Sequence, residues 1–314
     1  MTNTASQSHD PVADDLDRRF QSLSGVDRAV AHVSMHPRWP VYAFVAVLAI
    51  LGWMWLTIMA AGVGTYEPDG ALGPGSSLLG AWLQSWGEWA RSMPYLDALI
   101  RLCTPQVSAL SPGAFFIAVA MWFLMSIAMM LPSAAPMLTT YADIADVARQ
   151  KGESTLPVSI LAAGYLAVWL GFSIAAAGLQ SALTLAGFAS SIGTPVVGLM
   201  AAFILLLAGL YQFSSLREAC LDKCRNPFAT LFGRWQETRW GVFRLGIEQG
   251  VFCLGCCWAL MMVMLAVGTM NLIWMVLLAL FAIAEKSGDG KVTSRVSGGI
   301  LVAWSVLVAA LSLT

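Results

Sequence analysis

Residues 242–267 read VFRLGIEQGVFCLGCCWALMMVMLAV. Apart from Arg244 and Glu248 near its start, this stretch is uncharged. A helix crossing the hydrocarbon core of a bilayer needs about 20 apolar residues, and this run supplies them. Similar runs precede it at 41–63, 113–137, 156–186 and 195–216. Gly268 and Asn271 mark a tight turn after it, a sixth run reaches Ala284, and a short last one spans 298–313. Barrel strands alternate polar and apolar residues at period two, so continuous runs argue for helices. The sequence therefore predicts an all-α fold, a polytopic transmembrane helix bundle of seven spans.

Composition agrees. The chain is 58% hydrophobic and 11% charged, whereas an ordinary soluble domain carries about 25% charged residues. That leaves too little polar surface to dress a globule in water. The net charge of −1, with no basic patch interleaved by aromatics, gives no reason to expect a nucleic-acid partner.

The first forty residues are polar, with Asp10, Asp14, Asp15, Asp17, Arg18 and Arg19, and lack the apolar core of a secretory signal. They form a predicted tail (1–40) ahead of the transmembrane helical domain (41–314). Residues 64–112 form a long loop opened by the turn signal Glu67-Pro68-Asp69-Gly70. Within it Trp82, Trp86, Trp89 and Met93 recur at helical spacing. The pattern predicts an amphipathic helix that either lies in the membrane interface or packs on the protein's own loops. With seven spans, fifteen of the seventeen Lys and Arg residues fall on one side, leaving Arg91 and Arg101 on the other. The positive-inside rule then puts the N-terminus in the cytoplasm and the C-terminus outside. The expected location is the bacterial inner (plasma) membrane, with the lipid bilayer as the first partner.

The distinctive chemistry is sulfur. Cys103 stands alone in the long loop, and the other five cysteines form two groups. Cys220 and Cys224 share a helix face, and Cys253, Cys256 and Cys257 project from the fifth span. On the reducing cytoplasmic side structural disulfides are disfavoured, so clustered thiols point to soft-metal ligands or redox groups rather than staples. Small apolar filling is the plainer alternative. Sulfurs of Cys224 and Cys256 within about 4 Å would join the two groups into one site.

Met125, Met129 and Met130 lie on the second span, with Met121 and Met129 continuing an i, i+4 stripe. Thioethers suit Cu(I), although such a stripe also serves packing. The stripe runs into Pro132 and Pro136, which should break the helix and free backbone carbonyls. Glu248, one turn before Cys253, is a candidate ligand or proton acceptor, because charges at membrane depth are costly. His9, His32 and His36 all precede the first span, which excludes bis-histidine haem ligation in the bilayer. His32 and His36 stand one helical turn apart and could hold a metal only if that stretch is helical. No phosphate-binding loop, nucleophile elbow or dinucleotide fingerprint occurs, so no nucleotide cofactor is expected and an enzyme is not the favoured class.

The segments MWFLMSIAMMLPSAAPM (121–137), GYLAVWLGFS (164–173), AGLYQFSSLREACLDKCRNP (208–227) and GVFCLGCCWALMMVMLAVGTMNLIWM (250–275), with the Glu285-Lys286 pair, resemble the DUF2182 family of integral membrane proteins described as metal-binding. The resemblance runs from about residue 115 to 300. It implies a metal-binding role for the five clustered cysteines, and a partner that is a small soluble metal-handling protein. The expected cargo is a soft transition metal, copper first and zinc as the alternative, held by Cys220, Cys224, Cys253, Cys256 and Cys257 for transport or delivery. Two other readings remain open: an accessory subunit of a larger membrane complex, and a membrane thiol oxidoreductase. The CxxxC and CxGCC spacings differ from the CxxC of the last.

Overall fold

A computed structural model describes residues 38–66, 73–103, 112–189, 195–288 and 290–313. Residues 1–37, with His9, His32 and His36, and the turn at Glu67–Gly70 lie outside the described residues. Among the described residues every regular element is a helix. In chain order these are α1 (Arg38–Tyr66), α2 (Ser77–Arg91), α3 (Pro94–Cys103), α4 (Pro112–Ser133), α5 (Ala135–Gln150), α6 (Val158–Leu185), α7 (Leu199–Tyr211), α8 (Ser215–Arg225), α9 (Pro227–Phe232), α10 (Arg239–Val267), α11 (Leu272–Ser287) and α12 (Gly290–Leu313).

Five of these, α1, α4, α6, α10 and α12, are long and apolar enough to cross a membrane. A sixth candidate appears if α7 and α8, which meet at 64°, count as one bent span. Their apolar side chains on the outer surface, such as Ile50, Leu170, Leu207 and Leu307, are exposed as a lipid-facing surface requires. α11 is apolar, but its sixteen residues reach only about 24 Å, short of the roughly 30 Å hydrocarbon core.

Helix α10 is the central element, packed on α6, α7, α8 and α11. Its contact with α6 is made of glycine. A Cβ on Gly164 would strike the Phe243 carbonyl, and one on Gly246 the Leu161 carbonyl. Small residues let membrane helices approach to backbone contact, where dispersion and packing replace the hydrophobic effect. This close approach sets Tyr165, directly after Gly164, against the cysteine-bearing part of α10.

Two expected spans end differently from the sequence pattern. The second stops at Ser133, because Pro132 has no N–H to give the Ala128 carbonyl four residues back. The freed Ala128 oxygen accepts instead from Trp53 Nε1 at 3.2 Å, which ties α1 to the break. The chain then restarts as α5 with Pro136 in its first turn, where a missing N–H costs nothing. α5 is held by Tyr141, which stacks on Trp235 and donates to the Leu156 carbonyl at 3.2 Å. Burial pushes its phenol up to about 12, so it stays a donor. The expected fourth span bends instead of running to Leu216: Ser214 leaves helical geometry and its hydroxyl caps Leu216 N at 3.2 Å.

The far end is tied by the 268–271 turn. Gly268 has φ of 100°, a left-handed conformation that suits glycine. Asn271 Nδ2 and Trp274 Nε1 both donate to the Pro74 carbonyl, at 3.0 and 3.1 Å, and so fasten the long loop to the bundle. The Trp-rich helix of that loop is α2. It turns Leu83, Gly87 and Ala90 inward and leaves Trp82 and Trp89 exposed, while Trp86 packs on the core. The indole stripe is thus split between packing and the surface.

Candidate metal centre

Three consecutive features of α10 build the centre. The i, i+3 spacing stacks Cys253 and Cys256 on one face, Cys257 follows beside them, and all three are buried. Their sulfurs all lie within 4.8 Å of one another, with Cys256 and Cys257 at 3.2 Å. The Cys256 thiol also donates to the Cys253 carbonyl at 3.1 Å.

Helix α8 supplies the fourth thiol. Cys224 Sγ lies 3.8 Å from Cys256 Sγ, although 32 residues separate them. The distance that would join the two groups is therefore met. Cys220, one turn earlier, does not join them. It packs against Gly255, where any Cβ would collide with its sulfur. The glycine of the CLGCC sequence is thus the space that lets α8 sit on α10, and Tyr211 closes the contact by donating to the Gly255 carbonyl at 2.5 Å.

Two further side chains reach Cys253. Tyr165 Oη lies 3.1 Å from its sulfur and also donates to the Met130 carbonyl at 3.1 Å. The Lys286 ammonium donates to Cys253 Sγ at 3.2 Å and to Ser133 Oγ at 2.7 Å. The proline break therefore feeds the site: Ser133 ends α4, and its hydroxyl holds the lysine on one side while donating to Met130 O on the other.

Beside this thiol cluster lies a second polar interior. Arg217 of α8 is paired with Glu285 and hydrogen-bonded to Ser294, and both members of the ion pair are buried. Ser294 also donates to Glu285 at 2.9 Å. A cavity of about 210 Å³ borders it, lined by Gln212, Arg217, Arg225, Ser294 and Arg295 among others.

The other sequence candidates fall elsewhere. Glu248 is engaged by Arg234 at 2.6 Å and Arg244 at 3.9 Å on a partly exposed surface, and it does not belong to the cysteine group. Met125, Met129 and Met130 are fully buried, and Met130 meets the centre through its carbonyl. Tyr165 and Ser133 were not singled out as site residues from sequence, because a tyrosine or serine in an apolar helix has no distinctive spacing. Lys286 has one signal in the sequence, its place in the Glu285-Lys286 pair that contributes to the family resemblance, but the pair gives no hint that its two members turn to different neighbours.

What the centre can do chemically follows from its donors. Sulfur ligands select soft ions such as Cu(I), Zn(II) or iron–sulfur clusters. Neither oxygen ligands nor histidine are present among the four thiols.

A family model described as "PpoB2: Copper chaperone" matches residues 119–308, which include both cysteine groups, Tyr165 and Lys286. No curated protein and no solved structure matches the chain. The match covers more than half of the sequence, and the protein belongs to this copper chaperone family.

Proposed function

We propose that this protein binds Cu(I) as cargo through two thiolates drawn from Cys224, Cys253, Cys256 and Cys257 and holds it for delivery or transport at the membrane. The observation that carries this reading is the 3.8 Å approach of Cys224 to Cys256, which brings a partly buried thiol of the first cysteine group onto the buried group of α10. Packing alone would not require thiols from two helices to face each other. The sulfur donors suit Cu(I) and Zn(II) alike, and the copper chaperone family supports copper.

The 15-to-2 distribution of Lys and Arg supports an N-in arrangement, which would place the site in the cytoplasmic half of a bacterial inner membrane. In the seven-span form of that reading α11 crosses together with its flanking turns. The resemblance to DUF2182 supports a soluble metal-handling partner that exchanges the ion. Cys220, beside Gly255 and partly exposed, is then placed as a transfer thiol rather than a resting ligand.

The test is the metal content of protein purified under reducing conditions and loaded with Cu(I). Wild-type protein should retain copper, and the Cys253→Ser/Cys256→Ser variant should retain almost none. Equal copper in both would remove this reading.

A further inference from the structure

The cluster presents more thiols than a Cu(I) ion needs, and it has a cation built against it. Cu(I) held by two thiolates carries a net charge of −1. A net charge buried away from water is costly unless it is paired. Lys286 meets Cys253 Sγ at 3.2 Å and is steered there by Ser133 Oγ at 2.7 Å. The neighbouring acid does not cancel this charge, because Glu285 is held by Arg217 and Ser294. Tyr165, the other polar group on Cys253, is neutral in its hydrogen-bonding role.

We infer that Lys286 is the fixed counter-charge of the centre and sets its preference for a monovalent ion bound by two thiolates. One lysine, two thiolates and one Cu(I) sum to zero. Two thiolates around a divalent ion are already neutral, so such a complex gains nothing from the lysine. Removing the ammonium should therefore weaken a monovalent soft ion far more than a divalent one. Lys286 acts through the charge it places beside Cys253 and is not itself a ligand. The inference rests on the reading of these thiols as the metal site.

The experiment compares Ag(I), a monovalent soft ion that needs no reductant, with Cd(II), a divalent soft ion. Affinities for both are measured by competition with chelators on wild-type protein and on Lys286→Met and Lys286→Arg. Neutralisation should lower the Ag(I)-to-Cd(II) affinity ratio roughly tenfold or more, and Lys286→Arg, which keeps the charge, should restore most of it. The ratio is a property of the folded fraction, so partial destabilisation does not disguise it. If Lys286→Met yields no folded protein, Lys286→Gln, which retains a donor for Ser133, carries the same comparison. A neutral variant that loses affinity for both ions equally, or for neither, overturns the inference while leaving the copper reading standing. Wild-type protein that retains neither ion overturns both.

Discussion

Glu285 and Lys286 are consecutive on α11, yet they serve opposite kinds of interior. Glu285 faces Arg217 and Ser294, where a cation and an anion cancel each other's charge and share a hydroxyl, while Arg217 Nε and Glu285 Oε2 are buried without a partner. Lys286 faces Ser133 and the thiols, where a cation meets groups whose strongest anionic form requires a bound ion or a lost proton. The first arrangement balances its own charge and is closed in that sense; the second is open. A closed buried pair fixes geometry: it registers α8 onto α11 and α12, and so sets where Cys224 falls. An open cluster is poised for a ligand. Two adjacent residues on a helix point about 100° apart, which is how one short helix can supply both.

This comparison can be broken most forcefully at the closed pair. Glu285→Leu leaves Arg217 buried without its partner, which should cost about 3–5 kcal/mol, read as a fall in unfolding midpoint in detergent. The double variant Arg217→Met/Glu285→Leu should recover most of that stability, since well-packed apolar replacements of a buried ion pair are often near neutral. A double variant as unstable as the single one would show that Ser294 and the cavity-lining residues need the charges for another reason.

A smaller effect sharpens the open side. Cys224→Ala should lower Cu(I) affinity roughly tenfold, on the scale at which metal sites respond to changes in and around their ligands. Cys220→Ala, one turn away against Gly255, should leave equilibrium affinity unchanged. Equal losses from both, measured by chelator competition, would mean that α8 presents its cysteines differently once metal is bound.

The smallest effect is expected at Glu248. Its partner Arg234 is largely exposed, and surface ion pairs contribute no more than about 1 kcal/mol. Glu248→Gln should leave both copper content and the unfolding midpoint nearly as they were. A clear loss of copper would return this residue to the candidate ligands.

Much of the site could be read from the chain, but unevenly. The cysteines were legible because their spacing repeats the helix period, so Cys253 and Cys256 share a face in any helical context. The proline break was legible because Pro132 removes a donor wherever it sits. Glu248 looked like part of the site for the same local reason, one turn from Cys253, but Arg234 arrives from the loop before α10 and takes its carboxylate. Tyr165 gave no warning, since its position depends on Gly164 and Gly246 bringing two backbones into contact.

The sequence by itself determined an all-helical chain with segments long and apolar enough to cross a membrane, because continuous apolar runs of that length admit few other ways to satisfy the backbone in lipid. It also determined which sulfurs can share a helix face. Only the tertiary structure decided that the chain bends between α7 and α8 to bring Cys224 to Cys256, that Cys220 stops at Gly255, and that Glu285 and Lys286 part company. Those outcomes depend on contacts between helices, and helix periodicity carries no information about which face of one helix meets which face of another.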